Sequence, residues 1–199
     1  MTWQAHIPDE ISRLYEVRDY RHAAALLSCE FRLEFEELCG ALMRFRFRKD
    51  DVLAGGGNES RIPKTMSGLM RPLGWLEGKL TASMVVDGEE IRQDTHKVDF
   101  LKGRVAFDLE WNSKDQTFDR DLYAFRTFFE FNKISVGVIV TRSDRLDPWF
   151  KSLGQAVSQK YGASTTHLGK LLPRLEAGRS GGCPILVLGM TPELLEESS

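Results

Sequence analysis

Hydrophobic positions along the chain alternate between two periods. Over 9–27, Ile11, Leu14, Tyr15, Arg18 and His22 follow helical spacing behind Pro8-Asp9, which predicts one helix. A second helix is predicted over 33–45. There Glu34, Glu36 and Glu37 come early and Arg44, Arg46 and Arg48 late, the order a helix dipole favours. Ala54-Gly-Gly-Gly-Asn-Glu-Ser60 reads as a loop, with Asn58 or Ser60 able to cap a helix running to Met70 and Gly74 ending it. From Leu76 the period shortens. Strands are predicted over 79–86, 96–101 and 104–112, with tight turns at Asp87-Gly88 and Lys102-Gly103.

Helical spacing returns over 117–131, where Phe118, Leu122, Phe125 and Phe129 share a face. The stretches 134–140 and 184–189 are apolar and β-branched, as strands covered on both sides are. Helices are predicted between them over 148–160 and 165–177, and a frayed polar tail from Thr191. Helices alternating with buried strands, plus an antiparallel hairpin in the middle, predict an α/β fold: a mixed sheet sandwiched by helices. We expect one domain over 1–199, with a mainly helical part over about 9–72 and an α/β core over about 73–190.

Composition narrows the classes. The chain has 199 residues, 42% hydrophobic and 28% charged, which is enough for a sizeable core. No apolar run reaches the roughly 18–20 residues of a membrane span, so no membrane partner is expected. No basic segment followed by an apolar one opens the chain, and Cys29, Cys39 and Cys183 lack disulfide or zinc spacing. The expectation is a cytoplasmic protein with Cys183 simply buried. A net charge of −2 means that any nucleic acid must be met by local basic patches.

The chemistry sits in the central hairpin. In Arg104-Val-Ala-Phe-Asp-Leu-Glu-Trp-Asn112, Val105, Phe107, Leu109 and Trp111 take one face, and Ala106, Asp108, Glu110 and Asn112 the other. Folding back through Lys102-Gly103 sets Asp99 opposite Ala106, diagonal to Asp108 at roughly 7–8 Å. Three carboxylates then share a face, repel one another, and suit a hard divalent cation such as Mg²⁺, with the small Ala106 leaving room. The competing reading is a solvated face of acids.

Asp99, eight residues, then Asp108-Leu-Glu110 resembles the PD-(D/E)xK nuclease core in the variant ending in Glu. The wider runs Val98-Asp-Phe, Asp-Leu-Glu-Trp-Asn-Ser-Lys-Asp, Phe-Asp-Arg-Asp-Leu122, Ser135-Val-Gly-Val-Ile-Val-Thr-Arg-Ser-Asp-Arg145 and Tyr161-Gly-Ala-Ser-Thr-Thr-His-Leu-Gly-Lys170 resemble the BglII/BamHI-like branch of type II restriction endonucleases over about 20–190. The resemblance implies Mg²⁺-dependent cleavage of double-stranded DNA by a homodimer, at sites commonly centred on GATC. It leaves room for a cognate DNA methyltransferase acting on the same site. It also implies that Asp99, Asp108 and the Leu109 carbonyl bind metal, while Glu110 binds metal or orients and deprotonates the attacking water. Asp108 departs from the more usual Glu, which sets its charge back by one methylene. A further family carboxylate or amide lies upstream, and Glu59 and Glu77 are both candidates.

Asn112, Ser113 and Lys114 leave the catalytic strand, and Arg142, Ser143, Asp144 and Arg145 follow a buried one. At strand ends such side chains emerge where they reach base edges, with Asp and Arg suited to C and G. Ser164, Thr165, Thr166, Lys170 and Arg174 offer hydroxyls and cations for phosphates, or else form a capped, solvated helix start. His167 is given no catalytic role. Two rivals stand beside a sequence-specific endonuclease: a repair or junction nuclease reading DNA shape, and a catalytically silent DNA-binding protein.

Overall fold

Val136–Arg142 and Ile185–Met190 are buried along their whole length, so both need cover on two faces, and the fold is built around them. The computed structural model describes residues 2–54, 60–94 and 96–196. In chain order the helices are α1 (Asp9–Leu14), α2 (Ala23–Glu30), α3 (Arg32–Arg44), α4 (Lys49–Leu53), α5 (Arg61–Met70), α6 (Thr117–Glu130), α7 (Asp147–Ser152), α8 (Gln155–Lys160) and α9 (Leu168–Glu176). The strands are β1 (Tyr15–Tyr20), β2 (Leu76–Gly78), β3 (Thr81–Val86), β4 (Glu89–Asp94), β5 (Val98–Lys102), β6 (Val105–Glu110), β7 (Val136–Arg142) and β8 (Ile185–Met190).

Among the described residues, six strands form one mixed sheet in the order β1-β8-β7-β6-β5-β2, and β3 pairs with β4 alone. β6, β7 and β8 run parallel, whereas β1, β5 and β2 are antiparallel to their neighbours. Side-chain alternation gives the sheet two cores. Val105, Phe107, Leu109 and Trp111 pack with Ile11, Leu38, Met66 and Phe150 on one face. Ala106, Ile139 and Val187 pack under Phe118, Leu122 and Phe125 of α6 and Leu168, Leu171 and Leu175 of α9 on the other. The helix-sandwiched mixed sheet with a central hairpin is the architecture expected from the sequence.

The local departures have physical causes. The single helix expected over 9–27 is α1, β1 and α2. β1 lies antiparallel along β8, from Tyr15 opposite Met190 to Tyr20 opposite Ile185. Without β1, the amides and carbonyls on that side of a fully buried strand would lack partners. Arg21 and His22, at φ 56 and 62, make the turn into α2, so His22 is not on a helical face. The helix expected over 148–160 breaks at Gly154, whose φ of 105 suits only glycine. The tail does not fray from Thr191. The Thr191 hydroxyl donates to the Leu14 carbonyl at 2.8 Å, Leu194 is buried, and Leu195 bridges Phe47. Ser60 precedes α5 without a side-chain cap bond, and Asn58 lies outside the described residues. Cys183 is buried, as expected.

Candidate active site

The hairpin of β5 and β6 turns at Gly103-Arg104, one residue later than expected. Gly103 has φ 53, and Lys102 lies opposite Val105, Leu101 opposite Ala106 and Phe100 opposite Phe107. Continued by one pair, this register sets Asp99 opposite Asp108 instead of Ala106. The shift is by two positions, so it leaves every side chain on its expected face. The acids are therefore closer than the sequence reading placed them. The Asp99 amide donates to Asp108 Oδ1 at 2.6 Å, and the Leu109 amide donates to Asp99 Oδ2 at 3.0 Å. Ala106 leaves no room for an ion, because it is fully buried in the core that includes Phe118 and Leu122. The open space is a cleft of about 460 Å³, lined by Glu77, Asp99, Leu109, Glu110 and Ser113, with Pro63, Ser67 and Arg71 among its other lining residues.

A fourth acid, within the run Phe-Asp-Arg-Asp-Leu122 but without a role assigned from the sequence, joins the three. Asp121 of α6 is 4% exposed, and its Oδ1 lies 3.6 Å from Arg120 Nε. The signal was present: helical spacing sets Asp121 on the apolar face with Phe118, Leu122 and Phe125, where an aspartate is out of place.

Asp108, Glu110 and Asp121 are buried, and loss of water around the carboxylates is the leading influence on all four acids, raising their proton affinity. Asp99, whose residue is exposed on β5, is raised by the partial desolvation of its carboxylate among its neighbours, against the opposing Leu109 amide and Arg120 charge. Asp108 is raised well above the usual range by burial and then by the Asp99 charge. Glu110 is pushed up to about 7 by burial, with Ser113 holding it down by a hydrogen bond. Asp121 is pushed up to about 10 by burial, then by the charges of Asp108 and Glu110. Asp108 Oδ2, Glu110 Oε2 and Asp121 Oδ2 are buried without a hydrogen-bond partner. Among the described residues, no three His, Cys, Asp or Glu side chains already stand as a metal site. The donor set nonetheless fits a hard divalent cation, which would satisfy free carboxylate oxygens and offset their repulsion.

Of the two upstream candidates, Glu77 lines the cleft and pairs with Lys97 at 2.6 Å, while Glu59 lies outside the described residues. The segments expected to read DNA are brought together. Lys114 bridges Thr165, the Asp115 amide donates to the Ser164 carbonyl at 3.0 Å, and the Thr166 amide donates to the Ser113 carbonyl at 2.9 Å. Lys114 is exposed, Asn112 and Ser113 are half-buried, and Asn112 Oδ1 lacks a partner.

The stretch 142–145 only partly emerges. Arg142 is fully buried, against the expectation, because β7 runs two residues further than predicted. Its guanidinium lies 5.5 Å from the ring centroids of Phe150 and Tyr161 and donates to the Thr165 hydroxyl. Burial lowers its pKa to about 10. Ser143 is buried as well, and its hydroxyl donates to Glu16 at 2.6 Å. Asp144 and Arg145 do emerge. Asp144 is hydrogen-bonded to His167 Nδ1, and Arg145 lies 3.5 Å from Glu193. Lys170 is half-buried on α9. Arg174 is not a free phosphate contact: it pairs with Asp115 at 3.2 Å and Asp119 at 3.1 Å, tying α9 to α6. No described helix is long and apolar enough to cross a membrane.

Compared with known families, residues 15–190 match the one described as restriction endonuclease BglII/BglIII. No curated protein matches the chain.

Proposed function

This chain belongs to the BglII/BglIII restriction endonuclease family and is a type II site-specific deoxyribonuclease; from that premise we propose that its clustered acids hydrolyse phosphodiester bonds of duplex DNA with the help of Mg²⁺. The observation that carries the proposal is the set of unpartnered carboxylate oxygens at Asp108 and Glu110, beside Asp99, where β5 and β6 meet a cleft. Asp99 and Asp108, with the Leu109 carbonyl, are the residues that would hold the cation. When bound, the cation supplies charge for the scissile phosphate and acidifies a water. Glu110 would orient the attacking water and take its proton. A carboxylate titrating near about 7 is well matched to general-base work at neutral pH.

Asp144 and Arg145, with Asn112, Ser113 and Lys114, form the base-reading edge in this proposal, and Lys170 meets a phosphate. Arg142 and Ser143 support that edge from behind, since both are buried. The active unit is a homodimer whose two sites cut the two strands of a palindrome. A methyltransferase protecting the same sequence is the partner the restriction role calls for.

The test is digestion of plasmid by purified protein with Mg²⁺, with Ca²⁺, or with excess chelator, followed by sequencing of the ends. Discrete ends are expected with Mg²⁺ only, and site binding without turnover in Ca²⁺. Equal cleavage in chelator would remove the metal. Cutting confined to branched or mismatched duplexes would favour a shape-reading nuclease.

A further inference from the structure

Asp121 is the buried acid that the strand motif does not contain. The residues flanking it on the inner face of α6, Phe118, Leu122, Phe125 and Phe128, are fully buried apolar side chains closing one core. Another apolar residue would complete that face. An aspartate stands there instead, 4% exposed, with Oδ2 lacking any hydrogen-bond partner. Its side chain is within hydrogen-bonding reach of Glu110, and the charges that bear on it most are those of Asp108 and Glu110. Asp108 Oδ2 and Glu110 Oε2 are also unpartnered. Arg120, itself about half exposed, is the cation that offsets all four acids. One guanidinium leaves three of four carboxylate charges unmet, and a divalent cation would offset two of them.

We infer that Asp121 is a third carboxylate of the set that holds the cation, with Asp99 and Asp108, contributing from α6 negative charge that retains the ion beside Glu110. The inference rests on the reading of this cluster as a divalent-cation site. It assigns a role to a residue eleven positions beyond Glu110, on a different element. The alternative is an acid that carries a proton and serves only the packing of α6.

Mn²⁺ binding and melting temperature, measured without catalysis, separate the two. Free Mn²⁺ is followed by its paramagnetic resonance signal against the protein, alone and with a duplex carrying its site. Melting is recorded in chelator and in Mn²⁺. Asp121→Asn should weaken Mn²⁺ binding at least tenfold and abolish most of the Mn²⁺-induced rise in melting temperature. Its melting temperature in chelator should hold or rise, since a buried carboxyl that must take up a proton there is replaced by a neutral group of the same size. Asp121→Glu should recover part of the affinity, and Asp99→Asn serves as the reference ligand loss. Wild-type Mn²⁺ affinity in Asp121→Asn, beside a loss in Asp99→Asn, overturns the role of Asp121 and leaves the cluster reading standing. If Asp121→Asn and Asp121→Leu both fail to fold, the acid is structural and the inference is also overturned. A wild-type protein that binds no Mn²⁺ in either state sinks the cluster reading itself.

Discussion

Asp99 accepts the Leu109 amide through Oδ2, and its own amide is held by Asp108. Asp99→Asn keeps an acceptor for the first bond and leaves the second untouched, while removing one of several crowded charges. Cleavage should fall by several orders of magnitude, site binding in Ca²⁺ should persist, and melting should hold or rise. An acid on a merely solvated face would leave cleavage unchanged and stability within about ±0.5 kcal/mol. Rate, affinity and melting on one preparation decide between them. Glu110 gives the pH dependence. Its pKa is raised from 4.5 to about 7, so the folded chain holds that proton more tightly than the unfolded chain. Without a cation, its contribution to stability is greatest below about pH 4.5, and it is lost as pH climbs to about 7. The loss is about 3 kcal/mol. Calorimetry in chelator should therefore show higher melting near pH 5 than near pH 8, with the gap narrowed by Mg²⁺. Cleavage should rise with pH as Glu110 loses its proton, at a midpoint below about 7 because the Mg²⁺ that cleavage needs favours the carboxylate, which a rate profile checks.

The elements hold these residues by close packing. The turn at Gly103-Arg104 sets the hairpin register, and α6 lies against β7 where Gly137 has no side chain. A β-carbon at 137 would stand 2.5 Å from the Phe125 ring, too near for any contact, and Phe125 sits deep in the core. Gly137→Ala should therefore push α6 outward and cost about 1–3 kcal/mol, read from the denaturant midpoint. It should also slow cleavage, because α6 carries Asp121 and Arg120 beside Glu110. Packing likewise explains Arg142. Two residues of extra strand draw it inward onto Phe150 and Tyr161, and its bond to Thr165 fastens the loop that pairs with 113–115.

At the scale of the molecule, a chain of net charge −2 approaches a polyanion through local cations. Association with DNA should weaken steeply with salt. Lys170→Ala should lower affinity for all sequences alike. Arg145→Ala should relax discrimination at one base pair by about 1–3 kcal/mol. Competition binding against site variants distinguishes the two, and a uniform loss from both substitutions would remove Arg145 as a base reader. The sheet joins distant parts of the chain: β1 near the start closes the edge of β8 near the end, and α9 is tied to α6 through Arg174.

Periodicity in the sequence determined the buried strands β7 and β8, the helices α3, α5 and α6, and the shared face of Asp99, Asp108 and Glu110. Each depends on side-chain spacing within a few residues, and alternation survives a misplaced turn when the shift is even. Tertiary structure alone decided the rest. β1 is a strand because β8 needs a partner, a demand arising some 170 residues away that overrides a local helical pattern. Asp99 faces Asp108 because the turn sits at Gly103-Arg104, and neighbouring two-residue turns differ too little in local energy for the sequence to choose between them. Asp121 joins the acids because α6 crosses β6, and Arg142 is withdrawn because aromatic rings from α7 and the end of α8 close around it. Charge, burial and proton affinity depend on what surrounds a side chain, and those surroundings exist only once the elements have packed.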